Sequence, residues 1–92
     1  MSLEQKYPVL FQFFAGYFPE ADLDGLTDPE VVAEFKKLNP PEVIQETVTE
    51  LANITNDSPW LGEISKEANR YFATNEAAWE WVKMIKAELT KE

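Results

Sequence analysis

From Pro8 to Phe18 the chain sets Val9, Leu10, Phe13, Phe14 and Tyr17 on one face of a helix and Phe11 and Phe18 on another. An apolar surface that nearly encircles its axis must be covered on most sides, so the segment predicts a central helix around which the rest is wrapped. The other apolar residues recur at three- and four-residue spacings, and no stretch alternates strictly over six residues, which predicts helix and no strand. The expected architecture is all-α: a compact single domain over residues 1–92, built as a bundle of about five short helices. Residues 1–6 are expected to form a flexible N-terminal tail.

Local signals place the helix starts. Residues 19–25 read as an acidic loop leading to Thr27-Asp28-Pro29-Glu30, a capping box with proline in the first turn. The helix it opens has Val31, Val32, Phe35 and Leu38 as its inward stripe. Asn39-Pro40-Pro41-Glu42 repeats the device and predicts a helix to about Asn53, with Ile44, Val48, Leu51 and Ala52 inward. Ser58-Pro59 opens a further helix carrying Leu61, Ile64, Ala68 and Tyr71, and the last begins near Thr74 or Asn75, with Ala78, Trp81, Val82, Ile85 and Leu89 as its stripe. Trp79 falls roughly opposite Trp81, so Trp81 is expected in the core and Trp79 becomes a candidate interface anchor.

Composition narrows the chemistry. The 92 residues include no cysteine and no histidine, which removes disulfides, thiolate chemistry and the commonest general base and transition-metal ligand. A net charge of -9 and a pI near 4.4 disfavour nucleic acid and anionic membrane as partners. Neither a leader-like start nor a run of eighteen apolar residues is present, and the expected location is the cytoplasm, leaving the sequon Asn53-Ile54-Thr55 idle. Asp22-Leu23-Asp24-Gly25 suggests a calcium loop, but counting from Asp22 puts Leu26 fifth, Thr27 sixth and Ala33 twelfth, where a ligand, a glycine and a glutamate are needed. No pair of carboxylates stands out for acid–base work. No catalysis, cofactor or metal is therefore expected.

The acidity is local. Nine of the seventeen acidic residues lie between Glu20 and Glu50, against Lys36 and Lys37 alone in that stretch. Like charges crowded together oppose folding, so the concentration points to a basic partner. The candidate contacts are Glu20, Asp22, Asp24, Asp28, Glu30 and Glu34, with Glu42, Glu46 and Glu50 as a second strip at i, i+4 and i+8, and Trp79 as an apolar anchor.

The run Tyr7-Pro8-Val9-Leu10-Phe11-Gln12-Phe13-Phe14-Ala15-Gly16-Tyr17-Phe18, the acidic turn Glu20-Ala21-Asp22-Leu23-Asp24, the helix start Asp28-Pro29-Glu30-Val31-Val32 and, more loosely, Ala78-Trp79-Glu80-Trp81-Val82 carry a resemblance. Together they resemble the small helical immunity proteins of bacterial contact-dependent growth inhibition systems. The resemblance implies a protein that binds and neutralises the C-terminal toxin domain of a large secreted effector, a ribonuclease with a basic cleft, in the cytoplasm. Many members carry a polar pair and a tryptophan after the Tyr-Phe, where this chain has Pro19-Glu20-Ala21. Two other readings fit the composition: an acidic adaptor for another basic protein, and an acyl-carrier-like protein modified on Ser58, although the Asp57-Ser58 pair is followed by Pro59 and not by the leucine of that pattern.

Overall fold

The computed structural model describes residues 2–91 and, among them, every side chain but that of Asp22. The described residues form six helices and no strand: α1 (Leu3–Lys6), α2 (Pro8–Asp24), α3 (Asp28–Leu38), α4 (Pro41–Leu51), α5 (Trp60–Glu67) and α6 (Asn75–Thr90). The all-α expectation holds. None of these helices is long and apolar enough to cross a membrane.

The aromatic segment is the central helix, as its encircling apolar surface requires. α2 packs against α1, α3, α4 and α5, and its Leu10, Phe13, Phe14 and Phe18 are inaccessible to solvent. Phe13 meets Phe35 of α3 at 4.6 Å between ring centroids, while Phe14 and Phe18 reach Trp81 of α6 at 5.6 and 5.3 Å. The α6 stripe is buried as predicted, from Ala78 through Trp81, Val82, Ile85 and Leu89.

Residues 19–24 are not a loop. Pro19 lies inside α2, which continues to Asp24. A proline there has no N–H for the Ala15 carbonyl and costs about 3 kcal/mol, yet Phe14, Phe18 and Ala21 carry the buried stripe across it and offset that loss. The helix stops at Gly25, in the left-handed region at φ 73, where the amides of Gly25 and Leu26 both donate to the Ala21 carbonyl.

The expected tail is also corrected over residues 2–6, Met1 lying outside the described residues. Residues 3–6 form a helical turn with Leu3 in the core at 1% exposure, because Ser2 and Gln5 close a capping box and the Leu3 amide donates to Glu63 Oε2 of α5 at 2.6 Å. At the α3–α4 junction Asn39 does not cap the following helix. Its amide closes the preceding one, donating to the Phe35 carbonyl and to the Tyr17 hydroxyl, and Pro40 takes the N-cap of α4 without a side-chain bond.

Three residues assigned inward stand outside. Tyr71, 88% exposed, follows the end of α5 and the left-handed Asn69, so helical spacing no longer governs it. Ala52 lies past the end of α4, and Thr47 is buried instead, its hydroxyl donating to the Val43 carbonyl. Leu38, 61% exposed, is the last residue of α3, beyond the reach of the core.

The Thr27–Glu30 capping box forms as read: the Glu30 amide donates to Thr27 Oγ1 and the Thr27 amide to Glu30 Oε1 at 2.8 Å. Thr27→Ala is expected to cost about 1 kcal/mol in denaturant unfolding. The Thr27 amide, aided by its hydroxyl, holds the Glu30 carboxyl below its ordinary value of 4.5. A depressed folded value means the contribution is present above the unfolded value and is lost as pH falls through the folded one. Wild type and Glu30→Gln are therefore expected to differ in stability at neutral pH and to converge as pH falls below 4.5, which acid titrations of both would read.

Candidate protein-docking site

α2 and α3 enclose an open groove of about 720 Å³. Its α2 wall is the ridge Gln12, Gly16, Glu20 and Asp24, one helical turn apart, and its α3 wall is Val31, Glu34 and Leu38. Phe11, Tyr17 and Leu26, each half-buried against the core, supply much of its apolar floor. Three carboxylates, from Glu20, Asp24 and Glu34, stand around this apolar surface, and no lysine or arginine lines it. Glu20, Asp24 and Glu34 are all exposed, as is Leu38 at the open end.

Gly16 has a particular place in this wall. A glycine in a helix interior is less stable than alanine by roughly 0.5–1 kcal/mol. Here a Cβ built on it meets nothing within 4 Å, so close packing inside the fold does not require the missing side chain. What the glycine leaves open is the groove.

The other expected contacts divide by what they touch. Asp28 is half-buried, with Oδ1 accepting from Arg70 Nη2 and Oδ2 from Trp81 Nε1 at 2.7 Å. Glu50 Oε1 accepts from the Leu10 amide at 3.0 Å, supplying from α4 the N-terminal cap that α2 lacks at Tyr7. Glu30 is held in its capping box. These three carboxylates answer donors of the fold, although Glu30 stays exposed at the surface. Glu42 and Glu46 are exposed on α4, outside the groove, with Glu50 turned inward from their ladder. Asp22 belongs to α2, and its side chain lies outside those described.

Trp81 is the core tryptophan, and Trp79 is half-buried on α6 with Lys83 Nζ 5.9 Å from its ring centroid. α6 contributes nothing to the groove, so Trp79 does not join the three carboxylates. Ser58 is half-buried, and its hydroxyl accepts from the Trp60 amide at 3.1 Å at the start of α5. Among the described residues no group of three or more acidic side chains is placed to hold a metal ion.

Sequence reasoning missed the groove because it made residues 19–25 a loop. The signals that locate it were present: Gly25 followed by Leu26 marks a helix end, and Gln12, Gly16, Glu20 and Asp24 share one helix face once α2 runs that far. Comparison with protein-family models, with curated proteins and with solved structures yields no match.

Proposed function

We propose that this chain is an immunity protein of the contact-dependent growth inhibition type, which captures a basic toxin domain through the α2–α3 groove and blocks it. The observation that carries the reading is the convergence of Glu20, Asp24 and Glu34 around an apolar groove with no basic residue in its lining. Carboxylates in that arrangement stand where the phosphates of a nucleic-acid substrate would stand on a nuclease. Their field steers association, and the apolar floor supplies the residence time that charge in water does not. The local excess of acid between Glu20 and Glu50 adds to the same field. The resemblance of its aromatic helix, acidic turn and α3 start to helical immunity proteins is in line with the same reading.

The test is titration of the chain into the toxin domain encoded immediately upstream of it, at low and moderate salt, with toxin activity followed in parallel. One-to-one binding that weakens with salt and abolishes activity is expected. The triple variant Glu20→Gln, Asp24→Asn, Glu34→Gln is expected to slow association by about tenfold or more at low salt and to flatten its salt dependence, while leaving dissociation less affected. Association kinetics unchanged in that variant would remove the groove carboxylates from the interface.

A further inference from the structure

We infer that the α2–α3 groove is a docking site for a basic amphipathic helix, whose lysines or arginines face Glu20, Asp24 and Glu34 and whose apolar side chain sits over Gly16. The inference rests on the immunity reading only for the identity of the protein that supplies the helix.

Three features select this occupant. The first is charge: three carboxylates and no lysine or arginine line the groove, so a cationic ligand is favoured. A second copy of this chain, itself at -9, is disfavoured.

The second is the state of the backbone on both walls. Apart from the Ala15 carbonyl, which Pro19 cannot pair, the mid-helix amides and carbonyls of α2 and α3 bond along their own helices and present no strand edge, so an extended peptide laid on the apolar floor would bury unpaired backbone groups of its own. A helix brings its own bonds. The ridge from Gln12 to Asp24 runs about 18 Å at 1.5 Å per residue, the length of roughly three turns. Glu20 and Asp24, one turn apart, match the spacing of lysines at i and i+4 on a helix beside them.

The third is Gly16. It sits mid-helix at a cost in stability, with open space where its side chain would be. It lines the groove between Gln12 and Glu20 with no side chain of its own, leaving a place for one apolar anchor beside the carboxylates.

The probe is a fourteen-residue peptide of leucine and lysine in helical spacing, compared with an all-lysine peptide of equal charge and titrated into the intact chain. Wild type is expected to prefer the leucine–lysine peptide by about tenfold or more, with the Gly16 amide resonance shifting and that of Gly62 on α5 unmoved. Gly16→Leu leaves the protein's charge unchanged, so nonspecific attraction is the same in both proteins. It is expected to erase the preference. Gly16→Ala is expected to raise the unfolding midpoint and retain most of it, and Leu38→Ser, at an exposed position, is expected to weaken it without unfolding the chain.

Absence of a preference in wild type, or its retention in both Gly16→Leu and Leu38→Ser, overturns the inference. The two readings separate cleanly. If the upstream toxin domain neither binds nor is inhibited while the peptide preference holds, the immunity reading falls and the groove stands. If the toxin domain is captured with unchanged affinity by Gly16→Leu and Leu38→Ser, the groove falls and immunity stands.

Discussion

Phe13→Ala is expected to destabilise the fold by about 3–5 kcal/mol, the range for deleting a buried aromatic ring. Phe13 is inaccessible and sits among Phe14, Phe18 and Phe35, with centroids 4.9, 5.3 and 4.6 Å away. Its loss removes transfer energy, leaves a cavity that helices on several sides cannot close together, and breaks the edge-to-face contact with Phe18 and the tilted contacts with Phe14 and Phe35. Domains of this size hold about 0.05–0.15 kcal/mol per residue, so the variant stands close to unfolding. Denaturant titration is the check, with a lower midpoint at an unchanged slope. Phe11, on the same helix but half-buried at the groove, is the control, and Phe11→Ala is expected to cost less than about half as much. Equal losses at the two positions would contradict the central placement of α2.

That placement is legible in the sequence, and the reason is specific to α2. Its apolar residues nearly encircle the axis, a pattern only burial on several sides can use. The α6 stripe and the Thr27–Glu30 box were legible for a similar reason: each is a local device whose partners lie within a few residues. The errors came where tertiary contacts overrode local signals. Pro19 reads as a break, and only the burial of Phe18 and Ala21 carries the helix past it. Asn39 reads as an N-cap, and its amide instead reaches back to Phe35 and across to Tyr17. Leu3 reads as part of a tail until Glu63, sixty residues away, is seen to cap its helix.

The candidate site divides in the same way. Charge was visible in the sequence, but which carboxylates answer internal donors was not, because the donors of Arg70, Trp81 and Leu10 lie forty or more residues from Asp28 and Glu50. The groove needed two facts the sequence reading lacked, the continuation of α2 to Asp24 and the outward turn of Leu38. Gly16 went unremarked because a helix glycine carries no signal until the space in front of it is known to be open.

Asp28→Asn is expected to lower stability by about 2–3 kcal/mol, within the range for breaking a largely desolvated charged hydrogen-bond pair. The Asp28 side chain is 20% exposed and its Arg70 partner 18%, so water screens the pair only in part. One carboxylate oxygen accepts from the guanidinium and the other from the Trp81 indole, tying the first turn of α3 to the segment after α5 and to α6. Asparagine keeps the size but offers one acceptor, so one of the two donors must face an N–H instead. It also removes an anion from the first turn of α3, where the helix dipole favours one. The lost bonds should appear as a shift of one of the three tryptophan indole N–H resonances, together with a lower unfolding midpoint. Binding supplies the second readout. Asp28 was a candidate contact on charge alone, but its carboxylate is turned to Arg70 and Trp81, so association of folded Asp28→Asn with the toxin domain should match wild type. The groove triple variant should do the opposite, keeping its stability and losing its rate, because its three carboxylates are exposed. Slow association in Asp28→Asn with unchanged stability would restore Asp28 to the interface and overturn its assignment as a tie between helices.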